Sequence, residues 1–166
     1  MKTVRDACQL QPHALSIKLS DQIEQLDELI HLEGEGAEFF AKTHITRGMQ
    51  DLIAEGTARL AGHSSQAVFH LKQAMGGGKT HVLVAFGLLA KNPALRKTHC
   101  AGMAHANAFQ TADIAAFNGR NNPDHFFWGE IANQLGKGER FRHFWTSGPK
   151  APDKKDWIDL FDGERP

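Results

Sequence analysis

Gln73-Ala74-Met75-Gly76-Gly77-Gly78-Lys79-Thr80 is a glycine-rich run set between two apolar segments. Just before it comes Ala67-Val68-Phe69-His70-Leu71, a short, mostly apolar run of strand length bounded by turn residues. Such a run reads as a strand buried on both faces. Just after it comes an apolar stretch from Val82 to Ala90, a helix that Pro93 ends. Strand, glycines, Lys-Thr and helix in that order form the setting of a P-loop. Glycines let the backbone curl with its N–H groups turned inward as an anion nest, and the helix N-terminus adds partial positive charge. Lys79 would reach the β- and γ-phosphates, and the Thr80 hydroxyl would ligate Mg²⁺. One position departs from the standard spacing. Gln73 stands where the first glycine belongs, so Gly76 and Gly77 must supply the turn.

On the N-terminal side, Ile23, Leu26 and Ile30 mark one helical face, with Ser20 as N-cap. Seven acids between Asp21 and Glu38 make this the most acidic part of the chain. A second helix fits Thr46 to Leu60, where Met49, Leu52, Ile53, Gly56 and Leu60 share a face; Ala61 to Ser65 is a loop. On the C-terminal side, Thr98 to Ala104 reads as a weak second strand and 109–117 as a short helix. Asn118 to Pro123 is a loop. Phe127, Ile131 and Leu135 form another helical stripe, residues 139–145 resume it, and Ser147 to Lys155 is a polar connection. Trp157, Leu160 and Phe161 form a closing amphipathic turn.

The chain has 166 residues, with 19 Lys and Arg against 19 Asp and Glu. That length suits one domain, and the neutral balance gives no support to nucleic-acid binding by bulk charge. No apolar run approaches the roughly 18 residues of a membrane helix. Cys8 and Cys100 lie far apart and form neither a disulfide framework nor a zinc pattern, which makes a reducing cytoplasm the simplest address. Val and Ile total only 12 and Tyr is absent, few β-formers for a full sheet.

Other constellations are weaker. His99, Cys100, Met103 and His105 are soft-metal ligand types, but alternation along a strand would send them to opposite faces. His105 and Asn107 follow that strand's carboxyl end, where α/β sheets place ligands. Phe126, Phe127 and Trp128 could stack on bases, though their helical stripe favours core packing. Lys150, Lys154 and Lys155 alternate with Asp153 and Asp156 as a solvated linker. An ATPase also needs an apolar strand ending in Asp-Glu (Walker B). The closest run, Trp157-Ile158-Asp159-Leu160-Phe161-Asp162, has helical spacing, and no catalytic residue is assigned.

Met75 to His81 resembles the variant P-loop (Walker A) of the large prokaryotic AAA+-type ATPases of the domain-of-unknown-function 499 family. Phe39-Phe40-Ala41-Lys42-Thr43 with Thr46 and Gly48, then Arg59-Leu60-Ala61-Gly62, resemble that family's lead-in helices. Trp128-Gly129-Glu130-Ile131-Ala132 with Gln134-Leu135-Gly136 is similar to its post-strand helix. Trp157 to Phe161 is similar to the segment before its acidic strand. The resemblance implies an α/β fold, a partial AAA+-like P-loop NTPase of three layers with an incomplete sheet. Residues 1–63 would be a helical lead-in and 64–166 the first part of the core, cut before the Walker B strand. It implies ATP and Mg²⁺ as cofactors, with Gly76, Gly77, Gly78, Lys79, Thr80 and His81 as nucleotide contacts and Thr80 at the metal. The expected partners are nucleotide and the remainder of a longer chain, with DNA-modification or phage-defence proteins by association only and no membrane. The function so implied is the ATP-binding N-terminal portion of a larger ATPase. Two rivals stand beside it: a complete small P-loop phosphotransferase, and a non-catalytic protein-interaction module docking through the acidic 21–38 helix.

Overall fold

The run Lys79–Lys91 is apolar on nearly every side, and a helix of that kind belongs in the middle of a fold. In the computed structural model, which describes residues 34, 36–72, 74, 76–119, 126–146 and 151–161, it occupies that place. Seven helices are present among the described residues: α1 Gly36–Lys42, α2 Arg47–Leu60, α3 Lys79–Lys91, α4 Pro93–His99, α5 Phe127–Gln134, α6 Gly138–Thr146 and α7 Lys154–Phe161.

Helix α3 buries Val84, Ala85, Leu88 and Leu89 against Phe39 and Phe40 of α1 and Met49 and Ile53 of α2. Burying side chains such as Ile53 and Leu89 stabilises the fold by roughly 1.5–3 kcal/mol apiece. Gly56 lets α2 and α3 approach closely, since a Cβ there would lie 2.5 Å from the Phe86 ring. Thr46 caps α2, accepting from the Met49 amide at 3.3 Å. Asn92 ends α3 and caps α4, accepting from the amides of Ala94 and Leu95 at 2.9 and 3.3 Å. Pro93 therefore stops one helix and opens the next, at the first-turn position where its missing N–H costs nothing.

A second apolar cluster joins α5, α6 and α7 through Ala132, Phe141, Phe144 and Leu160, with Trp128 and Trp157 packed against it. Gln134 of α5 grips the backbone of Ala116 twice. It accepts from the Ala116 amide and donates to the Ala116 carbonyl, both at 2.8 Å.

The expected α/β architecture is corrected by this arrangement. No strand occurs among the described residues. Ala67–Leu71 is non-helical and pairs with no strand among the described residues; Ala67 to His70 are exposed, with Val68 75% and Phe69 37% accessible, and Leu71 is half-buried. Thr98 and His99 close α4, and residues 101–110 that follow are turns and bends. Residues 111–118 are not helical either. An apolar run reports a wish for burial, whereas a strand needs a partner that the local sequence does not name. The AAA+ P-loop ATPase reading falls with the sheet, because a Walker A loop is defined by the buried strand that delivers it. The ATP-binding-portion-of-an-ATPase function is corrected for the same reason, and a P-loop phosphotransferase would need that sheet too. The shortage of β-formers has the more direct reading that the described chain is helical.

The acidic helix expected from Ser20, the Gln73 departure, Met75, most of the Asn118–Pro123 loop and Lys150 lie outside the described residues. Among the described residues, no helix is long and apolar enough to cross a membrane.

Candidate functional site

Three features stand out between α2 and the turns that follow α4. The first is the glycine turn. Gly76 and Gly78 both have positive φ, 79° and 75°, which is the left-handed region that glycine enters without a Cβ penalty. Gly78 is the N-cap of α3. The Gly77 amide and the Lys79 Nζ both donate to the Ala74 carbonyl, at 3.1 and 3.0 Å. Gly76 to Thr80 therefore form one continuous turn into the helix. His81 faces elsewhere. Its ring stacks on Phe39 with centroids 4.6 Å apart, and its Nε2 lies 3.0 Å from the Thr43 hydroxyl. The sequence-expected set thus divides: five residues share the turn, and His81 ties α3 to α1.

The second feature is the run from Gln66 to Lys72, which is neither helix nor strand. It leaves the end of α2 through Ser64, whose hydroxyl donates to the Glu55 carboxylate and accepts from the Gln66 amide at 3.0 Å. The Gln66 side chain donates to the Val68 carbonyl at 2.5 Å, so one main-chain acceptor is satisfied locally. The side chains of Val68 and Phe69 remain out in solvent.

The third feature is an open cavity of about 760 Å³ between α2 and the turns after α4. Asp51 and Glu55 of α2 line it, with His63, Ser64 and His105. The His63 and His105 rings stack face to face with centroids 3.9 Å apart. His105 has φ 64°, an uncommon conformation for a residue with a Cβ.

The remaining sequence candidates do not converge. His99 stacks on Phe40, Cys100 is a buried free thiol, and His105 is on His63. Among the described residues, no group of three or more His, Cys, Asp or Glu is arranged to hold a metal ion. Phe126 and Trp128 stack on each other 5.0 Å apart, and Trp128 packs against the second apolar cluster. Asp153 accepts from the Lys155 and Asp156 amides as the N-cap of α7, and these bonds hold its carboxyl below the usual range.

Sequence reasoning missed Arg96 of α4, which is fully buried. Its guanidinium donates to the carbonyls of Leu89 at 2.6 Å, Ala90 at 3.0 Å and Phe109 at 2.8 Å, and also to Gln110. No local signal marks it, because its acceptors come from the end of α3 and from a loop thirteen residues away. His105 was a sequence candidate, but its pairing with His63 was missed for a similar reason: the two are forty-two residues apart.

Residues 19–122, more than half of the chain, match the family described as the DUF499 N-terminal domain. No curated protein and no solved structure matches the chain.

Proposed function

The chain belongs to the DUF499 N-terminal-domain family, and we propose that it serves as a non-catalytic protein-interaction module whose docking edge is the run Gln66–Lys72. The observation that carries this reading is the exposure of Val68 and Phe69, 75% and 37%, on backbone that is neither helix nor strand, with no strand among the described residues to cover it. Exposed backbone of that kind with β-branched and aromatic side chains is a template for strand addition: main-chain hydrogen bonds supply affinity and alternate side chains supply specificity. The family's description favours an extended segment from the remainder of the protein's own longer chain as the partner, since a domain described as N-terminal has a neighbour to follow it. A cytoplasmic address is part of the proposal, supported by the buried free thiol of Cys100.

The test places a photo-crosslinking side chain at position 68 in the full-length protein, with the exposed position 37 of α1 as control. The expected result is one discrete adduct, mapped to an extended apolar segment and lost when Phe69 is changed to Asp. Equal, diffuse labelling from both positions would overturn the reading.

A second reading concerns the glycine turn alone. We propose that Gly76, Gly77, Gly78, Lys79 and Thr80 take a phosphate-bearing ligand, for which ATP with Mg²⁺ at Thr80 is the probe the sequence suggests. Its support is the pair of positive-φ glycines at the N-terminus of the thirteen-residue α3. Calorimetric binding of ATP·Mg²⁺ that disappears in Lys79→Ala is expected; binding unchanged in that variant, or absent from the parent chain, contradicts it.

A further inference from the structure

We propose that the segment taken up by the Gln66–Lys72 edge is acidic: a polypeptide strand with apolar side chains for Val68 and Phe69 and carboxylates for Arg59 and Lys72. This rests on the reading of that run as a docking edge. Asp and Glu are absent from residues 56–112, the whole stretch between Glu55 and Asp113. At the chain's own frequency of 19 acids in 166 residues, such a stretch would hold about six, so charge is segregated along the chain. The same stretch carries Arg59, Lys72, Lys79, Lys91, Arg96 and Lys97. The whole chain has no formal net charge, so the residues outside this stretch are net acidic. A neutral sum conceals a basic middle.

Two of those cations bracket the docking edge. Arg59 is exposed in the last turn of α2, and its guanidinium donates to the Ser64 carbonyl at 3.2 Å, just before the run begins. Lys72 is exposed at the other end, with Val68 and Phe69 between them. A carbonyl orients a guanidinium without cancelling its charge. The carboxylates of α2 are engaged elsewhere: Glu55 accepts from the Ser64 hydroxyl, and Asp51 and Glu55 line the open cavity with His63 and His105. Among the described residues, neither Arg59 nor Lys72 has a carboxylate within ion-pair distance. A partner with carboxylates at these two places meets opposite charge, and one with lysines there meets like charge. Complementarity of this kind selects the partner more than it tightens the complex. The apolar centre favours a polypeptide over a nucleic acid. Val68 is an aliphatic side chain that offers a base no stacking face, and its burial needs apolar side chains that a phosphodiester backbone lacks.

Two short synthetic peptides with the same Val-Ile-Val core, one flanked by Glu and one by Lys, test this against the intact chain by fluorescence anisotropy. The Glu-flanked peptide should bind at least about tenfold more tightly at roughly 0.05 M salt, and the gap should narrow at roughly 0.5 M, where screening is strong. Lys72→Glu, at an exposed position, should narrow the gap at low salt at least about threefold, and Arg59→Glu added to it should reverse the order. Phe69→Ser should weaken both peptides. Equal affinities, both weakened in Phe69→Ser, would overturn the acidic partner and leave the docking edge standing. Binding of neither peptide, or affinities that Phe69→Ser does not change, would overturn the edge itself and this inference with it. A single-stranded oligonucleotide that binds more tightly than the Glu-flanked peptide and is lost in Lys72→Glu would overturn the inference in favour of a nucleic acid.

Discussion

Arg96 lies across the face of Phe109, its guanidinium carbon 3.9 Å from the ring centroid, while donating to the Phe109 carbonyl at 2.8 Å. One side chain thereby joins the last turn of α3 to the loop that leads toward Ala116. The charge is met by carbonyl dipoles, including those at the negative end of α3, and by the aromatic face. Burial pushes the guanidinium's pKa down, and its Nε is left without a hydrogen-bond partner.

Arg96→Met should destabilise the protein by about 3 kcal/mol in urea unfolding, because several buried carbonyls lose their donor at once. Arg96→Lys should recover little of this, since a single ammonium cannot reproduce a planar fork serving acceptors on two segments. Full recovery by Lys would show that charge, not fork geometry, does the joining.

Cys100 is 1% exposed and lies one helical turn beyond Arg96. Burial raises its thiol pKa above the ordinary 9.0, and the Arg96 cation opposes that rise. A raised folded-state pKa means the fold prefers the neutral thiol. That preference is fully present below about pH 9 and is lost as pH rises through the folded value. In a Cys8→Ser background, stability should therefore decline above pH 9, and Cys100→Ala should flatten that decline. The thiol should react with a disulfide reagent only as fast as the protein opens.

Gly56→Ala should cost about 1–3 kcal/mol, the usual range for overpacking, because the new methyl meets the edge of the Phe86 ring. Combining it with Phe86→Leu should return part of the loss, measured as a double-mutant cycle. Additivity of the two changes would mean that α2 and α3 do not meet at this pair.

The sequence made these helices legible where period and cap coincide. Thr46 to Leu60 reads as a helix from its apolar spacing and is one, with Thr46 as its cap. Val82 to Ala90 lies within α3, and the Phe127 stripe and residues 139–145 lie within α5 and α6. Trp157 to Phe161 is the end of α7 rather than a lone turn. The strands were illegible because pairing is a long-range property: Ala67–Leu71 has strand composition and no strand beside it among the described residues. Of the candidate site, the glycine turn was visible in three adjacent letters. Arg96 and the histidine stack were not, since each is made by residues brought together only in the folded chain.

Gln134→Met should loosen the attachment of the 111–118 segment to α5, costing about 1–2 kcal/mol through two lost bonds to Ala116. Exchange at the Ala116 amide should quicken while core amides of α3 do not change. Unaltered protection at Ala116 would show that the segment is held elsewhere.

Residues 67–72 are neither helix nor strand, and no strand lies beside them among the described residues. Amide exchange and cross-strand contacts at Ala67 to Lys72, measured by NMR on the isolated chain, test it most directly. The account predicts rapid exchange and no cross-strand contacts at these positions. Slow exchange with a ladder of cross-strand contacts would contradict it and restore a sheet beside the glycine turn.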